Sequence, residues 1–180
     1  MKDSPLTDDS FKPIKPGIKQ HLGNSGDLSA RKFAILVSQY HLNITGNLLH
    51  GAIETLQQNN VADDHIEVFW VPGAWELASG TKMVLQKGGF DAVLTFGCVI
   101  RGETTHDQHI NTSVSNSLGL LGLQYDVPVA FGLLTCNTLD QAVARSGGDV
   151  GNKGVEVAKA AIQMLLLQDC LLYTSPSPRD

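Results

Sequence analysis

Ala92-Val93-Leu94-Thr95-Phe96-Gly97-Cys98-Val99 is a continuous apolar run of strand length, which gives way at Ile100-Arg101-Gly102-Glu103-Thr104-Thr105-His106 to small, polar and charged residues. A run that is apolar on both alternating faces predicts a strand buried on both sides, as in a parallel sheet covered by helices. The change of composition predicts its carboxyl end turning into a helix, and that end is where open α/β sheets place their ligands. Thr105-His106-Asp107-Gln108 has capping-box spacing, which puts the helix start near Thr105.

The same alternation surrounds this segment. Phe33-Ala34-Ile35-Leu36-Val37 is followed by Ile44, Leu48, Leu49, Ala52, Ile53 and Leu56 at helical spacing. Ile66-Glu67-Val68-Phe69-Trp70-Val71 leads through Pro72-Gly73 to a helix carrying Leu77, Ala78, Val84 and Leu85. Val127-Pro128-Val129-Ala130-Phe131-Gly132-Leu133-Leu134 leads through Asn137-Thr138 to a helix opening at Leu139. A final helix is expected over residues 153–168, with Ala158, Ala161, Ile162, Leu165 and Leu166 on one face. Four buried runs joined by right-handed helical crossovers predict an α/β fold, a flavodoxin-like three-layer α/β/α sandwich with a four-stranded parallel sheet. The glycine-rich segment 147–154 lacks the Gly-Lys-Ser/Thr ending of a phosphate loop and reads as a flexible helix-to-helix connection.

The chain has 180 residues, 42% of them hydrophobic, which fits one domain with a sizeable core. Residues 1–31 are rich in proline and glycine and read as an arm, and residues 32–169 form the domain. Residues 170–180 resemble a translated sequencing adapter and are set aside from the fold. A net charge of −5 disfavours general nucleic-acid or anionic-membrane binding, and no apolar run reaches the roughly 18 residues of a membrane span. The start lacks a secretory h-region, so a cytoplasmic location is expected. The three cysteines make neither a disulfide framework nor a paired metal motif.

In this architecture the segments after the strands share one rim. They are Ser38-Gln39-Tyr40-His41, Pro72-Gly73-Ala74-Trp75-Glu76, residues 99–106, and Phe131 with its neighbours. Arg101-Gly102-Glu103-Thr104-Thr105 ahead of a helix start suits an anion, because glycine permits close approach and the first helical N–H groups are unpaired. The same residues also suit an ordinary loop whose threonines cap the helix. Tyr40 and Trp75 offer faces for a flat heterocycle or simply edge the core. Glu76 binds a ligand or complements its helix dipole, and Arg145 pairs with a phosphate or favours its own helix's C-terminus. His106 is suited to proton transfer near neutral pH. Its H-x-x-H spacing with His109 lacks the further ligands a metal site needs.

Four blocks taken in order resemble the lumazine synthase family: Val71-Pro72-Gly73-Ala74-Trp75-Glu76, residues 97–106, Pro128-Val129-Ala130-Phe131-Gly132, and Gly151-Asn152-Lys153-Gly154. The resemblance covers residues 32–168. It implies condensation of 5-amino-6-(D-ribitylamino)uracil with 3,4-dihydroxy-2-butanone 4-phosphate in riboflavin biosynthesis, without metal or organic cofactor. On matching positions it implies Tyr40 stacking on the uracil, Ala74, Trp75 and Glu76 at the ribityl side, and Cys98, Val99 and Ile100 presenting backbone groups. It further implies Glu103, Thr104 and Arg145 at the phosphate, His106 transferring protons, Phe131 reaching across a subunit boundary, and Lys153 at the uracil's polar edge. Homo-oligomerisation as a pentamer or a larger shell is implied, with riboflavin synthase a candidate partner. Gln39-Tyr40-His41 departs from the family's usual Arg, aromatic, Asn, and Trp75 replaces the commoner Phe. The first departure favours, as alternative, a binding or scaffold protein that keeps the pocket without turnover. Riboflavin synthase of the archaeal type, which shares the fold, is the enzymatic alternative.

Overall fold

The computed structural model describes residues 14–23 and 25–172. Residues 1–13 and the last part of the set-aside tail, 173–180, lie outside the described residues, as does Asn24. The elements follow one another as β1 (Phe33–Ser38), α1 (Leu42–Gln58), β2 (Ile66–Val71), α2 (Glu76–Lys87), β3 (Ala92–Ile100), α3 (His106–Tyr125) and β4 (Val129–Cys136). They continue with α4 (Leu139–Arg145), β5 (Ser146–Gly148), β6 (Gly151–Asn152) and α5 (Lys153–Leu172).

β1 to β4 form one parallel sheet in the order β2-β1-β3-β4, so this is the expected three-layer α/β/α sandwich. Both faces of the central strands are dry, as their unbroken apolar runs require. Phe33, Ile35, Val37, Leu94 and Phe96 pack with residues of α1 and α5 on one side, while Ala34, Leu36 and Val93 pack with residues of α2 and α3 on the other. The connection from β1 leaves to one side and that from β3 to the other. The topological switch point therefore falls between the carboxyl ends of β1 and β3, where a crevice opens.

Four local expectations are corrected. β4 begins at Val129 rather than Val127 and runs on to Cys136. Pro128 has no N–H to enter a ladder, and it takes part only as an acceptor, its carbonyl receiving Val93 N–H at 2.8 Å. The capping box is not formed. Thr105 has near-helical angles (φ −84°, ψ 14°), and its backbone carbonyl, not its hydroxyl, accepts from Gln108 N–H. A side-chain cap needs the extended backbone that Thr138 adopts ahead of α4, where the hydroxyl does accept from Gln141 N–H.

Nor is the segment 147–154 a flexible connection. It holds the antiparallel ribbon β5–β6, shaped by left-handed Gly147 (φ 116°) and Gly151 (φ 99°) and pinned to α1 by Asn152 Nδ2 donating to Asn47 O. Finally, α5 extends past residue 168 to Leu172. Its last turns meet the arm: Arg31 bridges Asp91 (2.9 Å) and Asp169 (2.7 Å), and His21 Nδ1 lies 3.3 Å from Cys170 Sγ.

Candidate active site

The crevice at the switch point is a cleft of about 690 Å³. β1 delivers Tyr40 and His41, the β2–α2 turn delivers Ala74, Trp75 and Glu76, and β3 ends there with Cys98, Val99 and Ile100. The loop into α3 adds Thr104 and His106. Nine of the residues named from the sequence are thus brought to one cleft by three separate segments of the chain.

Local bonding explains how each is held. Gln39 N–H donates to Val71 O at 2.8 Å and Tyr40 N–H to Pro72 O at 3.2 Å, so the β1–β2 pairing continues beyond the strands and fixes where Tyr40 emerges. Its ring is 69% exposed and free to receive a ligand face. One carboxylate oxygen of Glu76, Oε2, accepts Gly73 N–H at 3.0 Å and closes the turn between β2 and α2. This bond to the turn is a structural role other than the helix-dipole one weighed from the sequence, and it leaves the other oxygen for a ligand. Residues 101–106 are exposed, so His106 can meet both solvent and an occupant of the cleft.

Cys98 is buried, and burial pushes its thiol up to about 12, with Cys136 adding to the effect. Cys136, at the carboxyl end of β4, is also pushed up by burial, against the opposing pull of the Arg145 charge. A neutral thiol is a poor nucleophile, so Cys98 can shape the cleft without entering covalent chemistry. Iodoacetamide at pH 8 is expected to leave Cys98 and Cys136 unmodified in the native protein and to label both in denaturant, as read by peptide mass spectrometry. Native labelling of either would overturn this assignment.

Four of the residues named from the sequence do not line this cleft. Glu103 is exposed in the loop beside Thr104. Arg145 is exposed at the end of α4, with Nη1 donating to Gln141 O at 3.1 Å. Lys153, at the start of α5, is paired with Glu156 at 2.6 Å. Phe131 is a correction to the shared rim. It sits inside β4 opposite Thr95, well before the strand's carboxyl end, and its side chain is 43% exposed. It lines a separate groove of about 630 Å³ between α3 and α5, whose walls are largely apolar, with Leu123 and Met164 among them.

The cleft also contains residues that sequence reading passed over. Asp107 lines it, and its Oδ1 is buried with no partner in the structure. His41, which the sequence already places on the rim beside Tyr40, lines it in a left-handed conformation (φ 59°, ψ 47°). Ile110 and Leu139 add apolar wall. Among the described residues, no three His, Cys, Asp or Glu side chains gather as a metal site would require, and no helix is long and apolar enough to cross a membrane.

Residues 30–169 match the model of the family described as 6,7-dimethyl-8-ribityllumazine synthase. Among curated proteins, one of that name from Rhodopirellula baltica is 44% identical over 146 residues, which is 81% of this chain and 94% of that protein. Another from Phocaeicola vulgatus is 43% identical, covering 79% of this chain and 85% of that protein. A third, from Bacteroides fragilis, is 42% identical, covering 74% and 94%.

Proposed function

Because the chain belongs to the 6,7-dimethyl-8-ribityllumazine synthase family, an enzyme family of riboflavin biosynthesis, we propose that the cleft at the sheet's switch point is where it makes lumazine. The substrates are 5-amino-6-(D-ribitylamino)uracil and 3,4-dihydroxy-2-butanone 4-phosphate, and the products are the lumazine, phosphate and water. The observation that supports this reading most is the convergence of Tyr40, Trp75, Glu76, the end of β3, Thr104 and His106 on one cleft.

In this reading the uracil stacks on the exposed Tyr40 ring, with backbone groups of Cys98, Val99 and Ile100 at its edge. Ala74 and Trp75 form the wall along the ribityl chain, and the unoccupied oxygen of Glu76 accepts its hydroxyls. The loop backbone at Glu103 and Thr104, with the start of α3 that follows, takes the phosphate end. The uracil amine attacks the ketone and loses water to give an imine. Phosphate then leaves and the ring closes with loss of a second water. His106 carries protons at these steps. Holding two reactive molecules in register supplies much of the acceleration, and the protein adds placement and proton transfer.

Arg145 enters this scheme only by exchanging a partner. Its guanidinium now donates to the Gln141 carbonyl, and the phosphate has to win it from there. Arg145→Ala is expected to raise the KM for the butanone phosphate about tenfold, the effect of one charge-assisted hydrogen bond at a wet site, with a smaller change in kcat. Steady-state kinetics with the uracil held at saturation checks it, and an unchanged KM would remove Arg145 from the site.

Phe131 and Lys153 serve the reaction in this reading only through a homo-oligomer. Phe131 lies on an exposed apolar face away from its own cleft, as a residue donated to a neighbour's cleft would. A pentamer, closed or built into a larger shell, is the proposed assembly.

The test of function is single-turnover absorbance with both substrates, following lumazine and phosphate together over the spontaneous background. Protein-dependent formation of both in equal amounts supports the synthase. Tight uracil binding without acceleration would instead identify a binding or scaffold protein, and lumazine consumption without any need for the phosphate would identify a riboflavin synthase.

A further inference from the structure

His41 stands between β1 and α1 with no residue to spare on either side. β1 ends at Ser38 and α1 opens at Leu42, so the chain must reverse from strand to helix within Gln39, Tyr40 and His41. It does so by placing His41 in the left-handed region, where non-glycine residues are uncommon and Asn, Asp and His are enriched. The conformation is heavily determined. His41 O accepts both Ile44 N–H (2.8 Å) and Thr45 N–H (3.0 Å), and the buried Thr45 hydroxyl donates to Ser38 O at 2.8 Å. Strained backbone held this firmly beside a cleft is a pointer to function.

The side chain supplies the second observation. The imidazole meets the Tyr40 ring edge-on, with centroids 4.6 Å apart and planes at 76°, and both rings line the cleft. Edge-to-face pairs at this spacing are favourable beyond their buried area. Tyr40 has little else to hold it among the described residues, because it is mostly exposed and its hydrogen bonds run through the backbone, from its N–H to Pro72 O and from the Ser38 hydroxyl to its carbonyl. A stacking face is useful only if it is already oriented when the ligand arrives, since immobilising a free side chain on binding costs affinity.

We propose that His41 is a positioning residue that orients Tyr40 as the platform for the flat heterocycle. It acts through Tyr40 rather than on the reacting atoms. The proposal rests on the functional reading above, because it takes the lumazine or its uracil precursor as the ring that stacks.

A double-mutant cycle on equilibrium binding of 6,7-dimethyl-8-ribityllumazine separates the two. His41→Asn keeps a residue suited to the left-handed backbone and removes the imidazole, so the fold is retained, which a thermal melt verifies. It is expected to weaken lumazine binding about three- to tenfold, the range an aromatic pair supports. In a Tyr40→Leu background, already weakened by loss of the platform, the same substitution should change binding no further. In turnover, His41→Asn should raise the KM for the uracil while leaving the KM for the butanone phosphate unchanged. An equal loss in both backgrounds, or no loss in either, overturns the proposal while the functional reading stands. Failure of the wild-type protein to bind lumazine at all overturns the functional reading and takes the proposal with it.

Discussion

Replacing His106 by alanine is expected to lower kcat for lumazine formation by about 10²-fold while changing the KM of either substrate little. The magnitude is the lower end of what a positioned acid–base group contributes. The lower end applies because His106 is exposed at the mouth of the cleft, where water can partly take over its proton transfers. Binding is spared because the stacking face, the Glu76 carboxylate and the end of β3 come from other segments. Stopped-flow absorbance with both substrates saturating, corrected for the uncatalysed reaction, gives kcat directly. Unchanged kcat would pass the proton-transfer role elsewhere. Asp107 would then be the first group to replace, since it lines the same cleft and its buried Oδ1 lacks a partner.

The fold was legible because its strongest signals are local. Runs such as Phe33 to Val37 and Ala92 to Val99 are apolar at every position only because each strand is covered on both faces, and that same fact makes the sheet parallel. Once the strands are parallel, their carboxyl ends share a rim, and Tyr40, Glu76, Cys98 and His106 fall together with no knowledge of long-range contacts. What could not be read depends on geometry that composition does not encode. Thr105 has capping-box spacing, but its own backbone angles withhold the hydroxyl. Phe131 is grouped with the rim although it falls inside the run read as a strand, and its pairing with Thr95 keeps it there; the two-residue error in β4 is a separate one, for which the proline at 128 is the available clue. His41 leaves no compositional trace, because whether a residue before a helix is left-handed depends on how tightly the strand feeds into it. The Arg145–Gln141 and Lys153–Glu156 bonds are local, yet each residue type is equally at home reaching for a ligand.

Gly154→Ala is expected to be the most destabilising single-methyl change in the α1–α5 crossing. Gly154 is the second residue of α5, and a Cβ there would overlap the carbonyl oxygen of Leu48 on α1, with the Leu48 carbonyl carbon at 2.7 Å and Asn152 Oδ1 at 2.9 Å. No rotamer relieves a clash with backbone, so the two helices must separate. Separation also strains the Asn152 bridge, in which Oδ1 accepts Gly154 N–H at 2.8 Å and Nδ2 donates to Asn47 O at 2.9 Å. Overpacking of this kind costs up to about 3 kcal/mol and occasionally more. The better helix propensity of alanine returns about 1 kcal/mol, leaving a net loss of roughly 2 kcal/mol or more. For a domain of this size that lowers Tm by about 4–8 °C. Gly46→Ala, in the same helix α1 and with nothing within 4 Å of the added methyl, has only the propensity term and should move stability the other way by about 0.5–1 kcal/mol. Urea unfolding of the two variants side by side decides the matter: opposite shifts in midpoint at unchanged slope support a backbone-to-backbone crossing at Leu48. Equal shifts would mean that α5 can move away from α1 at little cost. In that case the crossing would not be what holds α1, and with it His41 and Tyr40, against the cleft.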